Sequence, residues 1–117
     1  MNENVIVEKS KALALRIIKL NRYLRDDKHE TVIAKQILRS GTSIGANVRE
    51  AVRAQSRADF LTKLTISLKE AEETAYWLEL LYESDYIEEK AFKSIYSDVE
   101  EVIRILVSIT KNTKTEK

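Results

Sequence analysis

Residues 61–82 read LTKLTISLKEAEETAYWLELLY, and the spacing of their apolar positions decides the fold. Leu61, Leu64, Leu68, Ala71, Ala75, Leu78 and Tyr82 alternate steps of three and four, a heptad seam on one side of a helix. A strand would need period two, and no stretch of the chain keeps that period long enough. Just upstream, Ser56 stands three residues before Asp59, the spacing of a capping box that opens the helix. A single amphipathic helix is marginal in water, so this seam needs other helices to cover it. They lie on either side. Phe92, Ile95, Val99, Val102, Leu106 and Ile109 repeat the pattern after a short turn at 84–87. Before it, Ile33, Ile37, Ile44, Val48 and Ala51 align in a second helix over about 30–55, and Ile6, Leu13, Ile17, Leu20 and Leu24 in a first over about 3–27. The acidic stretch 26–30 is the turn between those two. Proline is absent, and the polar stretch 111–117 reads as a fraying tail. Four long helices joined by turns of a few residues run antiparallel to their neighbours. The expectation is an all-α, up-down-up-down four-helix bundle in one domain spanning residues 1–117.

Composition narrows the chemistry. With 117 residues the chain has room for one core. No cysteine is present, which excludes disulfides, thiolate nucleophiles and cysteine-ligated metals and fits a cytoplasmic location. Charge enters the first nine residues too early for a signal peptide, and no apolar run approaches a membrane span. The net charge of +1 conceals an asymmetry: residues 1–57 carry 12 Lys and Arg against 6 Asp and Glu, and residues 58–117 carry 8 against 13. Such a division favours charge-complementary packing within or between chains.

Several positions do more than the core requires. On the third helix Ile66, Trp77 and Leu81 fall roughly opposite the seam, with Glu70, Glu73 and Thr74 on that second face. On the first, Leu15 and Ile18 point away from the core stripe among Lys11, Arg22 and Arg25. Apolar residues on two outer faces predict an oligomer interface built from Leu15, Ile18, Ile66, Glu70, Glu73, Trp77 and Leu81. The second helix holds both glycines, Gly41 and Gly45, on nearly one side. Each costs the helix about 1 kcal/mol relative to alanine, and close approach of a neighbouring helix is the simplest compensation. Ser40, Ser43, Asn47 and Glu50 form a polar ridge that predicts a structural hydrogen-bond network with Glu70 or Glu73. Lys35, Arg39, Arg49 and Arg53 fall within about a quarter turn of the helix, and with Arg22 and Arg25 they make a candidate phosphate-binding face. A solvated face, or one paired with acids of the other half, is the competing reading of the same residues.

Catalytic signatures are missing. The single histidine, His29, lies in a turn beside acids. No glutamate has a histidine three residues later, so the di-iron bundle pattern is not met. No Gly-Lys-Ser/Thr follows the glycines, so they do not make a phosphate loop. No cofactor, metal or enzymatic activity is expected.

The segments 39–50 (RSGTSIGANVRE) and 59–81 (DFLTKLTISLKEAEETAYWLELL) together resemble a known family. It comprises bacterial four-helix-bundle proteins encoded in intervening sequences of 23S ribosomal RNA genes, and is similar to the accessory variability protein of diversity-generating retroelements. The resemblance covers essentially the whole chain. It implies a non-enzymatic bundle, often a ring-like homopentamer. In the retroelement relatives it also implies a basic surface that engages nucleic acid and a reverse transcriptase. Ser43, Ile44, Asn47, Glu50, Glu70 and Glu73 match the family pattern as structural or interface positions.

Two functional expectations follow. One is a self-associating scaffold that binds RNA or a DNA–RNA template by neutralising phosphates. The other is a protein-interaction module whose basic half docks onto acidic surfaces. Salt separates them, because phosphate binding weakens steeply as salt rises.

Overall fold

Four helices fill the chain: α1 (Asn2–Asp26), α2 (Val32–Val52), α3 (Arg57–Glu83) and α4 (Glu89–Thr115), and the computed structural model describes residues 2–115. Local chemistry sets their ends. The Ser56 hydroxyl accepts from the Asp59 N–H at 3.0 Å, with Ser56 extended at φ −147° and ψ 162°. The chain must therefore leave α2 before Ser56, and α2 ends at Val52 rather than near residue 55. At its other end Glu30 is not helical. Its carboxylate accepts from the Ile33 and Ala34 N–H groups at 3.1 and 2.8 Å, so α2 starts two residues later than its periodicity suggests. α3 stops in a Schellman motif: Tyr86 N–H bonds Leu81 O at 2.9 Å and Asp85 N–H bonds Tyr82 O at 3.1 Å, with Asp85 left-handed at φ 69°. The stretch expected to fray is helical as far as Thr115, and Thr113 is buried with its hydroxyl donating to Ile109 O.

Each helix packs against its two neighbours in the cycle α1–α2–α3–α4–α1, and the diagonal pairs do not approach. Every neighbouring pair is antiparallel. Gly41 meets Ile17 and Gly45 meets Ser10 across α1–α2; Ser40 meets Thr74, and Glu50 meets Lys63, across α2–α3. Tyr82 stacks on Phe92 at 4.5 Å across α3–α4, while Lys9–Glu101 and Arg16–Asp98 bridge α1–α4. The result is an up-down-up-down bundle 49 Å long and about 20 Å across.

The core takes Ile6, Leu13, Ile17 and Leu24 from α1, Ile37, Ile44 and Val48 from α2, and Val99, Val102 and Leu106 from α4, all essentially sealed from solvent. α3 departs from its expected seam. Its buried stripe is Leu64, Ser67, Ala71, Thr74, Leu78 and Leu81, with Ala75 alongside, whereas Leu61, Leu68 and Tyr82 are half-buried. Leu81, expected on an outer face, is fully buried and belongs to the core. The stripe rotates because Ser67 and Thr74 lie inside it. Ser67 donates to Ile44 O at 2.9 Å and Thr74 shares a 2.8 Å hydrogen bond with Ser40, which lets two polar residues be sealed at the α2–α3 seam. The glycines serve α1–α2 instead. A Cβ on Gly41 would stand 2.8 Å from both γ carbons of Ile17, so only glycine admits that approach.

Candidate nucleic-acid interface

All six basic residues singled out by the sequence are exposed on the outer side of α1 and α2. The bundle brings them together in two groups rather than one. Antiparallel packing puts the end of α1 beside the start of α2, and Arg25 and Lys35 line one shallow groove with Asn21, Thr31, Val32, Gln36 and Leu38. Arg22 lies one turn back on α1 at the same level. Arg49 and Arg53 sit at the far end of α2. Fourteen residues separate Lys35 from Arg49, about 21 Å at the helical rise. Among the described residues none of these five has an ion-pair partner. Lys11, eleven residues before Arg22 and so three turns along the same face of α1, is also exposed.

Arg39, the sixth, stands between the groups and is already engaged. Its guanidinium bonds Glu70 at 3.2 Å and also bonds Glu73, both on α3. The Trp77 indole N–H donates to the same Glu73 carboxylate at 3.1 Å. The Arg39 hydrogen bond, helped by that of Trp77, holds the Glu73 carboxyl below the usual carboxylate range. Glu70 and Glu73, expected at a surface between chains, thus make a contact within the chain. The three charges sum to −1 at the middle of the basic face.

The polar ridge of α2 is bonded, but not as one network. Ser40 reaches across to Thr74 and not to Glu70 or Glu73. Ser43 donates to Arg39 O at 2.7 Å and Asn47 to Ser43 O at 2.9 Å, both within their own helix. Glu50 is exposed and pairs with Lys63 at 2.9 Å, which raises the Lys63 pKa. Of the residues expected at an oligomer interface, Leu15 is 54% and Ile66 37% exposed, Ile18 is half-buried, and Trp77 packs partly against the core. Tyr76, 53% exposed beside Trp77 with ring centroids 5.2 Å apart, escaped the sequence reading because the heptad count treats it as one more helix position.

The rest of the surface offers little chemistry. His29 lies exposed in the α1–α2 turn at φ 56°. Among the described residues no cluster of histidine and carboxylate side chains is placed to hold a metal, and no helix is long and apolar enough to cross a membrane. Tyr96 donates to Glu79 at 2.6 Å, which pushes the phenol up to about 12.

Comparison with known proteins agrees with this architecture. Residues 2–108 match the family model described as 23S rRNA-intervening sequence protein. A crystal structure from Bacteroides thetaiotaomicron VPI-5482, described as a protein with unknown function from the S23 ribosomal protein family, is 54% identical. It covers 95% of this chain and 99% of its own, with a TM-score of 0.93. No curated protein matches the chain.

Proposed function

Because this chain belongs to the 23S rRNA-intervening sequence protein family, whose members give no reaction to borrow, we propose from its surface that it is a non-enzymatic scaffold that binds nucleic acid through the outer face of α1 and α2. The observation that carries this reading is the set of five exposed cations, Arg22, Arg25, Lys35, Arg49 and Arg53, with no carboxylate partner among the described residues. Elsewhere on the bundle Lys9, Arg16, Lys63 and Lys93 are each tied to an acid, while exposed cations such as Lys69, Lys90 and Arg104 lie on the acidic half of the chain. Free arginine and lysine heads bind by displacing counterions from phosphates and do not read bases.

Self-association belongs to the same proposal. A patch of five charges is modest, and several copies of it in one assembly gain avidity without any new contact. Exposed Leu15, Ile66 and Tyr76 supply apolar surface for copies to meet, and the family resemblance suggests a ring of five. The experiment is a binding titration of a labelled oligonucleotide against the wild-type chain and Arg49→Glu/Arg53→Glu. Both positions are exposed, so the variant keeps its fold. Its affinity drops by about tenfold or more, and the slope of log affinity against log salt falls by about two. Unchanged affinity in a folded variant rejects the site. Affinity insensitive to salt favours the protein-interaction module instead.

A further inference from the structure

We infer that the basic face is built to straddle a double helix rather than to run along a single strand, and that Glu70 and Glu73 set this preference. The inference rests on the nucleic-acid reading above and concerns the pattern of charge within that face.

The cations form two lobes. Arg22, Arg25 and Lys35 make one, offset in part by the neighbouring Asp26 and Asp27; Arg49 and Arg53 make the other, about 21 Å away along α2. The middle of the span, around Arg39, offers phosphates no free cation on α1 or α2. On α2 the only cation there is Arg39, and it is held by two carboxylates. On α3 those carboxylates leave the cluster one negative charge in excess, and both keep some solvent exposure, 19% for Glu70 and 34% for Glu73. On α1 the stretch beside Arg39 carries Leu15 and Ile18, which offer no charge, and exposed Lys11, level with Gly45, adds to the Arg49 lobe.

A single strand laid along this face would carry a phosphate every few ångströms, and several would lie over the acidic middle. Like charges so close oppose binding. A duplex presents its phosphates in two rows with a groove between. Each row can take one lobe while the groove faces the acidic and apolar middle. A B-form major groove is about 12 Å wide between its walls, and the long arms of arginine and lysine cover the difference from the lobe spacing. Helices α1 and α2 are locked together by the Gly41–Ile17 and Gly45–Ser10 contacts, so the spacing is fixed before binding.

The test compares one labelled oligonucleotide, single-stranded and annealed to its complement, on the wild-type chain and on Glu70→Gln/Glu73→Gln. The wild type binds the duplex about tenfold more tightly, the effect of one lobe's phosphate contacts. In the variant Arg39 is released and the middle turns positive; single-strand affinity rises more than duplex affinity, and the preference shrinks. Equal or tighter single-strand binding by the wild type overturns the inference and leaves the nucleic-acid reading intact. An equal gain for both forms in the variant overturns the role of the two glutamates. Binding of neither form overturns both readings together.

Discussion

Gly41 and Gly45 look alike in sequence and occupy consecutive turns of one helix, yet their surroundings differ enough to separate them by experiment. A methyl group on Gly41 meets the Cβ and both γ carbons of Ile17 at 2.8–3.1 Å. Ile17 is fully buried and β-branched, stiff about its first torsion, so it cannot swing aside. Gly41→Ala therefore destabilises the bundle by about 1–3 kcal/mol, despite the roughly 1 kcal/mol of helix propensity that alanine returns. On Gly45 the nearest atom is the Ser10 hydroxyl at 3.3 Å. It can give way, at the cost of its 2.6 Å bond to Ile6 O. Gain and loss are each about 1 kcal/mol, so Gly45→Ala stays within about 0.5 kcal/mol of the parent. Urea denaturation of the two variants checks both, and equal midpoints would show that α1 and α2 can slide apart to admit the methyl. Close approach at the glycines was legible in the sequence as a spacing. Which glycine forbids a side chain was not, because that depends on whether a branched or a small residue stands opposite.

The third helix teaches the same lesson at the scale of an element. Its existence, its Ser56 cap and its end near residue 83 follow from local sequence. Its buried face does not, because counting apolar residues selects Leu68 and Tyr82 and passes over Ser67 and Thr74. Hydroxyl burial depends on what the neighbouring helix offers, and α2 offers the Ile44 carbonyl and Ser40. The same rotation draws Leu81 into the core and turns Trp77 toward Glu73. The basic face suffered a similar limit: exposure of the six cations was predictable from helical phase, whereas the capture of Arg39 required knowing that α3 lies beside it. A double-mutant cycle measures the hydroxyl contact. Thr74→Val leaves the buried Ser40 hydroxyl with only a long 3.4 Å contact to Ile37 O, costing about 1–2 kcal/mol. Ser40→Ala costs less, about 0.5–1 kcal/mol, because Thr74 keeps its 2.8 Å bond to Glu70 O. The double variant removes donor and acceptor together and costs clearly less than the sum, with a coupling of about 0.5–1 kcal/mol. Strict additivity would show that the two hydroxyls do not stabilise each other.

At the scale of the molecule, the basic half of the chain becomes α1 and α2 and the acidic half α3 and α4, so the bundle has a charged axis across its short dimension. Two forces are then available for assembly. Basic sides can meet acidic sides of other copies, or apolar residues can meet apolar residues. Exposed ion pairs contribute about 0–1 kcal/mol each and are screened within about 8 Å at physiological salt. They orient an encounter more than they hold it. Burying what remains exposed of a side chain such as Leu15 or Ile66, 54% and 37%, contributes about 0.5–1.5 kcal/mol and is not screened by salt. Assembly should accordingly survive salt that strips nucleic acid away. Light scattering after size exclusion, read at 260 and 280 nm, tests the two together. A multiple of the 13.5 kDa chain is expected at low and high salt alike, with excess absorbance at 260 nm present only at low salt. Leu15→Asp/Ile66→Asp should reduce the mass to one chain while leaving the helical circular dichroism in place. A wild-type mass that falls to one chain in high salt would move the assembly from the apolar residues to the charged axis. A wild-type monomer at every salt concentration would remove self-association, and with it the avidity that a face of five free cations needs to hold nucleic acid firmly.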